Sequence, residues 1–424
     1  MENLDPDLWP RLVAVPDGTA VNRRARKEEK RLAAATHEAG LGVAGPAADI
    51  HVHHDALFAR LAQFGWLGLA EGYMAGEWEA DNLPLVIRKL LQVKYRPGPG
   101  LRKVSHGSFV PAAPINIEAE AFYSLYSADP LGAWAGRFAS GVPTTERVPV
   151  PSHCPGAGRG NEPAHHIVEE TIVGAPVNPE RGDMEDSQRR AMDVLIQLAG
   201  VRTSSDCVEF PASGSFLPGL IAHKGATVDV LTAEPRRAED IAQAASGSRG
   251  RVSVALLDHP VPRRSDWRGH YDAVLSVGGW EQAGRAQPDF FPALERLLAP
   301  GGRAAVHAVV ATQSLGFVHQ AALDAVVHYI RPAPRYQRLE DAHAAVDRRT
   351  RLRITDVVHQ PSHAQLSYQL QREKFLAHSD QAAAWGLDAP LRRLWDWYLS
   401  VHAALFELGA LDCVQLGLQY RPHR

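Results

Sequence analysis

The sequence predicts an α/β protein in which a doubly wound, largely parallel sheet follows a small α+β domain. Two observations lead to this prediction. From Met184 onward, apolar strand-like runs alternate with segments of helical spacing, which is typical of a sheet with helices on both faces. The first hundred residues instead contain one short alternating strand and two amphipathic helices. A length of 424 residues suits two or three domains. We place the α+β domain at 1–110, a linker and lid-like segment at 111–183 and the α/β domain at 184–424.

The amino-terminal domain contains three short predicted elements. Residues 49–53 alternate like a strand, and residues 55–61 and 83–93 have the spacing of amphipathic helices. Between the helices, the aromatic stretch 64–78 has two interpretations, a domain core or a lipid-facing surface. We favour the core, because aromatic side chains more often pack inside a domain.

A mixed-charge run with a basic excess lies at residues 23–31. Clustered Lys and Arg side chains are attracted to anionic lipid, by about 1 kcal/mol each near such a surface. Glu28 and Glu29 interrupt the basic residues, so a solvated helix face is the favoured interpretation.

Two segments rich in glycine and proline follow. Residues 94–115 are interpreted as an interdomain linker. Residues 139–183 are predicted to have little regular structure, and loops of that length are usually functional lids or disordered insertions.

The carboxy-terminal domain supplies the strands of the predicted sheet. Helical spacing over residues 188–198 precedes the first of them. In such sheets, ligands bind outside the carboxyl ends of the strands. The strand candidates are 206–210, 226–231, 252–257, 271–277, 302–310, 351–358 and 411–419.

Composition limits the function classes. A net charge of −3 gives no overall field that favours nucleic acid, so we expect no nucleic-acid partner. The acidic start lacks the features of a secretory signal, and no apolar run is long enough to span a bilayer. Three distant cysteines do not indicate a disulfide framework. We expect a cytoplasmic protein, with peripheral contact to the inner membrane face as a further possibility.

Several segments together resemble one protein family, the cyclopropane-fatty-acyl-phospholipid synthases and their mycolic-acid relatives. Residues 68–78 read GLAEGYMAGEW, where the family has GLGESYMDGxW, and residues 276–284 read SVGGWEQAG, where it has SVGMFEHVG. The similarity runs in order from about residue 45 to the end of the chain. Further matching segments are LLAPGG at 297–302, YIRP at 329–332, LWDWYL at 394–399 and GALDCVQL at 409–416.

The resemblance implies a Rossmann-like class I methyltransferase domain that uses S-adenosylmethionine (SAM), preceded by a domain that helps to engage lipid. Family members methylate a cis double bond of an acyl chain, and a base then removes a proton from the resulting carbocation. In many members that base is a bicarbonate held by Cys, Glu, His and Tyr side chains and a backbone group. An unsaturated phospholipid or acyl chain is therefore the implied partner.

The resemblance also implies site residues. Glu281 and His307 occupy the family's Glu and His positions, and His402 corresponds to a Cys used in some members. The family's bicarbonate Cys and Tyr fall near Ala135 and Ala364, so we do not expect a bound bicarbonate. The segment 115–123, at the family's HYDxGNDFY, keeps only the last aromatic pair.

The cofactor loop departs most from the family. Methyltransferases place a Gly-x-Gly-x-Gly type turn after the first strand, because glycine allows positive φ and close backbone approach. Here that turn has Gly214 between serines, and Phe216 is expected near the methionine moiety. We therefore expect weakened SAM binding. The positions that the resemblance implies for the cofactor are Glu209, Ser213, Gly214, Ser215, Thr232, Glu234, Asp258 and His259.

Three functions follow as hypotheses. The favoured one is a relative whose catalysis is weak or lost, and which works beside an active paralogue, binds its lipid substrate, or forms a homo-oligomer. The second is an active SAM-dependent methyltransferase on cis-unsaturated phospholipid acyl chains. The third is altered chemistry on an unsaturated small molecule, using Glu281, His307 or His402.

Two other site types have little support in the sequence. We find no Gly-x-Ser-x-Gly elbow and no cysteine beside a plausible base, so we predict no Ser or Cys nucleophile. Two histidine groups lack a ligand set of diagnostic spacing, so we predict surface histidines and no metal. These groups are His51, His53 and His54 with Asp55, and His165 and His166 with Glu169 and Glu170.

Overall fold

The computed structural model describes most of the chain, namely residues 4–43, 48–98, 119–127, 134–159, 162–247, 251–330 and 333–422. The strands are β1 (Ile50–Val52), β2 (Trp78–Ala80), β3 (Pro143–Pro151), β4 (His165–Val173), β5 (Asp206–Glu209), β6 (Thr227–Thr232), β7 (Val252–Leu256), β8 (Tyr271–Val277), β9 (Leu298–Ala311), β10 (Leu352–His359) and β11 (Leu411–Tyr420). The helices are α1 (Pro10–Val13), α2 (Thr19–Glu38), α3 (Ala56–Phe64), α4 (Trp66–Met74), α5 (Leu83–Gln92), α6 (Ala119–Ser124), α7 (Met184–Leu198), α8 (Phe216–His223), α9 (Pro235–Ala244), α10 (Gly279–Gln282), α11 (Gln287–Leu297), α12 (Phe317–Ala322), α13 (Asp324–Tyr329), α14 (Leu339–Arg349), α15 (Pro361–Ala377), α16 (Ser379–Ala384) and α17 (Ala389–Glu407).

The chain forms two compact units, and each is assembled from separate stretches of sequence. The first unit comprises Met1–Asn116, Gln313–Ala333 and Gln371–Ala410, and the second comprises Ile117–Thr312, Pro334–Leu370 and Leu411–Arg424. The predicted linker 94–115 lies largely outside the described residues.

The first unit is mainly helical and has a small antiparallel sheet, in which β1 pairs with β2. Every residue of α4 is buried, so the prediction that the aromatic stretch forms core is confirmed. Gly68 is needed there because a Cβ would lie 2.2 Å from the carbonyl oxygen of Arg60. Trp78 is buried beside α4, and its Nε1 donates to the carbonyl of Leu69 at 2.8 Å.

The mixed-charge run lies on α2, where most of its side chains are exposed. Glu28 is the exception. It is buried, accepts from the Gly98 amide at 2.8 Å and pairs with Arg31 at 2.6 Å. The prediction of a solvated helix face is therefore correct for most of the run and wrong for Glu28.

The second unit contains a nine-stranded sheet in the order β3-β4-β10-β11-β9-β8-β5-β6-β7. The strands β4 to β10 run in one direction, while β3 and β11 run antiparallel to their neighbours. Alternate side chains of the strands enter two separate cores, with Val208, Val274 and Val306 in one. Cys207 and Ala305 enter the other, together with residues of α7 and α8. The predicted doubly wound sheet is confirmed.

Residues 139–183 contain a β-hairpin, so the prediction of little regular structure was wrong there. β3 pairs with β4 along its whole length, from Pro143 opposite Val173 to Pro151 opposite His165. β3 is an edge strand, where proline is tolerated because its missing N–H need not reach a neighbour. The prolines that indicated a loop are therefore compatible with this strand.

The carboxyl ends of the seven strands that run in one direction share one edge of the sheet with the start of β11. This edge presents Glu209, the loop after β8 and the end of β9 together. Among the described residues, no helix has the length and apolar character needed to cross a bilayer.

Candidate functional site

Glu281 lies at the carboxyl edge, on the short helix α10 that follows β8. Gly278, with φ of +66°, turns the chain into this helix, and its amide donates to the carbonyl of His307 at 2.9 Å. The Glu281 carboxylate is buried, and Oε1 accepts from the amide of Val309 at 3.1 Å. Oε2 has no hydrogen-bond partner among the described residues. Burial raises the pKa of Glu281 to about 7.

His307 lies on β9, two residues before the residue that binds Glu281. Its Nε2 atom is 3.3 Å from the thiol of Cys413 on the neighbouring strand β11. Both side chains are buried, and both belong to the face of the sheet opposite Val306 and Val414. Burial lowers the pKa of His307 to about 4 and raises the pKa of the Cys413 thiol well above its usual range. At neutral pH the pair is therefore an uncharged imidazole beside an uncharged thiol.

The statement that no cysteine has a nearby base was wrong for Cys413. The two residues are 106 positions apart in sequence, and the antiparallel pairing of β9 with β11 brings them together. Gln360 completes the group, because its Nε2 donates to the Cys413 sulfur at 3.6 Å. The Gln360 Oε1 atom has no partner within the described part of the chain.

The cofactor loop follows β5. Glu209 is fully buried, and its Oε1 accepts from the Ser213 amide at 2.7 Å and from the Ser213 hydroxyl at 2.5 Å. Its Oε2 has no partner among the described residues, and burial raises the pKa of Glu209 to about 7. Gly214 has φ of +139°, and a Cβ at this position would face open space. Ser215 precedes α8 as its N-cap residue.

Phe216 does not project freely from this loop. It begins α8, packs against the core that contains α7, and lies 5.1 Å from the guanidinium of Arg189 on α7. The ring therefore has a packing role within the domain. The expectation that it lies near the methionine moiety stays a prediction.

Arg237 is a residue of the candidate cofactor region that the sequence analysis missed. It donates to the Ala212 carbonyl at 2.8 Å, to the Tyr123 hydroxyl at 2.6 Å and to Glu234 at 3.1 Å. It thus joins the loops after β5 and β6 to the aromatic pair of α6. The sequence offered one indication of this residue. Arg237 lies three positions after Glu234, a spacing that brings two side chains together on a helix.

The other predicted cofactor residues differ in exposure. Thr232 is buried at the end of β6, and its hydroxyl accepts from the Glu234 amide at 3.1 Å. Glu234 and Asp258 are exposed, while His259 is half-buried and lines a groove of about 350 Å³. The structure brings Glu209, Ser213 and Gly214 into one loop and joins Glu234 to that loop through Arg237.

The two positions that carry the family's Cys and Tyr lie in neighbouring segments here. Ala135 and Ala364 are both buried. Two hydrogen bonds link the segments. The amide of Gly136 donates to the Ser367 hydroxyl at 2.9 Å. The amide of Phe138 donates to Nδ1 of His363 at 2.9 Å. Neither alanine has the thiol or phenol that the resemblance implies near these positions.

His402 lies in the first unit, on α17. It is fully buried, and its Nδ1 is 2.7 Å from the carbonyl oxygen of Tyr398. Burial lowers the pKa of His402 to about 4. A catalytic role for His402 stays a prediction.

The histidine groups of the sequence analysis have different environments. His51 pairs with Asp81 at 3.1 Å and His53 with Glu79 at 3.5 Å, both at the surface. His166 is buried beside His343, with ring centres 6.0 Å apart, so its prediction as a surface residue was wrong. In the described part of the chain, no three His, Cys, Asp or Glu side chains are arranged to hold a metal ion.

Comparisons with known proteins agree on one family. A family model for mycolic acid cyclopropane synthetase matches residues 224–416. Tuberculostearic acid methyltransferase UfaA1 of Mycobacterium tuberculosis is 28% identical over 451 aligned residues, which cover 98% of this chain and 96% of the relative. The chain is thus similar to the cyclopropane synthase family. Members of this family are lipid-modifying SAM-dependent methyltransferases.

Two further matches fit this family. The cyclopropane-fatty-acyl-phospholipid synthase of Escherichia coli is 46% identical over 55 residues, or 13% of this chain and 14% of the relative. The structure of the cyclopropane synthase MmaA2 from Mycobacterium tuberculosis superposes with a TM-score of 0.51 at 19% identity. The superposition covers 58% of this chain and 88% of the MmaA2 chain. The second unit of the chain therefore has the class I methyltransferase fold that the sequence predicts.

Proposed function

We propose that this chain is an active SAM-dependent methyltransferase that acts on an unsaturated acyl chain of a phospholipid, with Glu281 as the group that accepts the proton. The observation that carries the proposal is the Glu281 carboxylate. It is buried, one oxygen accepts from Val309, and the other has no partner among the described residues. The relative whose alignment covers 98% of this chain carries the name tuberculostearic acid methyltransferase. That name supports an acyl chain as the substrate class.

The loop after β5 fits SAM. SAM carries cationic ammonium and sulfonium groups, and Glu209 offers a buried carboxylate oxygen that no described residue bonds. Gly214 borders open space and adopts the positive φ that a close backbone approach requires. Glu209, Gly214 and the serines beside it would hold the methionine end of the cofactor, and Thr232 and Glu234 would face its ribose. When bound, SAM supplies an electrophilic methyl group to the alkene, which leaves a positive charge on the acyl chain.

The protein then has to remove one proton from that acyl chain. Glu281 is suited to this step, because a pKa of about 7 leaves a large ionised fraction at neutral pH and makes the carboxylate a stronger base than a solvated one. The C–H electron pair stays with the acyl chain and forms the ring or the double bond, while the proton goes to Oε2 of Glu281. His307 is neutral, so it adds no positive charge beside the cationic chain.

The test is methyl transfer from SAM labelled in its methyl group to vesicles of a cis-unsaturated phospholipid. Glu281→Gln keeps the shape and the bond from Val309 but removes the base. The expected loss is about 100-fold or more, the usual contribution of a general base. Glu340→Gln on α14 is the matched control, since Glu340 is exposed. Equal rates in wild type and Glu281→Gln would contradict the assigned role.

A second candidate function is a non-catalytic relative that binds the lipid or supports an active paralogue. The observation that favours it is that two polar backbone groups of the cofactor loop are already engaged, the Ala212 carbonyl by Arg237 and the Ser213 amide by Glu209. This candidate predicts no thermal shift with SAM. Saturable SAM binding by calorimetry would rule out its strict form.

A further inference from the structure

We infer that Cys413 is a positioning residue of the site. Its thiol proton bonds Nε2 of His307, which fixes the imidazole as the Nδ1–H tautomer and leaves Glu281 as the proton acceptor. The assignment of Glu281 as the proton acceptor rests on the proposed function, whereas the assignment of the His307 tautomer does not. A thiol at this place is not among the residues that the family resemblance implies.

The contacts of the sulfur decide which atom donates. Gln360 Nε2 can only donate, and it approaches the Cys413 sulfur at 3.6 Å, so it occupies a sulfur lone pair. The thiol has one proton, and the other polar atom near the sulfur in the described part of the chain is Nε2 of His307, at 3.3 Å. Both residues are buried, so a thiol proton directed elsewhere would be left without an acceptor. The S–H group therefore points at Nε2.

Nε2 of His307 therefore accepts this hydrogen bond through its lone pair. A neutral imidazole carries one hydrogen on its two ring nitrogens, so that hydrogen is on Nδ1.

This arrangement separates the roles of the two retained residues. The one basic lone pair of neutral His307 is engaged by Cys413, so it is not available to take a proton from a substrate. Glu281 Oε2 has no partner among the described residues. Cys413 also lies opposite Val309 in the β9–β11 ladder, and Val309 is the residue that holds Glu281. The thiol thus links the histidine to the strand position that orients the base.

The direct test is ¹⁵N NMR of the full-length protein labelled at histidine. In wild type, the His307 signals are expected to show a protonated Nδ1 and an unprotonated Nε2 with a weak hydrogen bond. Cys413→Ser keeps a donor and is expected to keep this pattern, whereas Cys413→Ala is expected to shift the Nε2 signal. Cys207→Ala, at another buried cysteine, is the control and should leave the His307 signals unchanged. A protonated Nε2 in wild type would overturn the inference.

A kinetic experiment tests the positioning role. With SAM and vesicles of cis-unsaturated phospholipid, Cys413→Ala is expected to lower the methylation rate about 10- to 100-fold, the usual effect of losing a group that orients a site residue. Cys413→Ser is expected to restore most of the rate. Equal rates in wild type and Cys413→Ala would overturn the positioning role. An inactive wild-type protein that still shows the NMR pattern would contradict the proposed function and leave the tautomer assignment supported.

Discussion

The thiol of Cys413 lies 3.3 Å from Nε2 of His307, inside the sheet and away from solvent. Burial favours the neutral form of each group, so the pair behaves as a fixed hydrogen bond and not as a thiolate–imidazolium pair. Glu281 differs from both, since its pKa is raised only to about 7. Of these three groups, Glu281 alone changes charge near neutral pH.

The pH dependence of methyl transfer should therefore show one inflection from these residues. The rate is expected to rise with pH as Glu281 loses its proton, with a midpoint near 7. His307 is already neutral above pH of about 4, so it adds no step between pH 5 and 6.5. The profile is measured with labelled SAM and lipid vesicles at saturating concentrations. A rate that falls as pH rises through 7 would contradict Glu281 as the base.

Glu281 should also make the stability of the protein depend on pH. Its pKa is higher in the folded state than in the unfolded state, so the folded state binds more protons between pH of about 4.5 and 7. Stability from this group is present at low pH and is lost as pH rises through that window. Glu281→Gln removes this loss. The free energy of unfolding of the variant, relative to that of wild type, should therefore be higher at pH 8 than at pH 4 by on the order of 3 kcal/mol. Urea titrations at both pH values measure this, and a pH-independent difference would count against the buried carboxylate.

Gly214 provides a test of the cofactor loop. A valine there would have to adopt a φ of +139° that side-chain-bearing residues rarely take, and its side chain would fill the open space beside this turn. We expect Gly214→Val to abolish SAM binding in calorimetry. Gly219→Ala is the matched control, because Gly219 lies on α8 and a Cβ there meets no atom. Unchanged SAM affinity in Gly214→Val would place the cofactor elsewhere.

The buried pair of Arg60 and Glu77 tests the core of the first unit. Both side chains are fully buried, and Arg60 Nε lies 2.9 and 3.0 Å from the two carboxylate oxygens of Glu77. Arg60→Met leaves a buried charge without its partner, so unfolding should become easier by about 3–5 kcal/mol. Arg190→Met removes a surface ion pair with Asp186, and it should cost less than about 1 kcal/mol. Denaturation curves that do not distinguish the two variants would contradict this account.

The sheet of the second unit was predictable because its signals are local. The apolar runs at β5, β6 and β8 are bounded by turns and helices, and the structure places strands there. The hairpin of β3 and β4 was missed for an equally local reason. Its prolines indicate a loop unless the strand is known to lie at an edge, and the edge is set by the order of the whole sheet.

The candidate site was predictable only in part. Glu281 and His307 follow from short motifs, because Glu281 lies on α10 just after β8, His307 lies on β9, and each belongs to a recognisable segment. Cys413 and Arg237 were missed, since their roles depend on partners that the fold brings close. Cys413 meets His307 through strand pairing, and Arg237 reaches Tyr123 from a position 114 residues away. No single-sequence spacing encodes such contacts.

The decisive experiment follows the labelled methyl group of SAM into cis-unsaturated phospholipid, in wild type and in Glu281→Gln. We expect label in the acyl chain with wild type and a loss of about 100-fold or more with Glu281→Gln. If wild-type protein binds SAM yet transfers no label to any cis-unsaturated phospholipid at any pH from 6 to 9, the chain is not a methyltransferase of this substrate class.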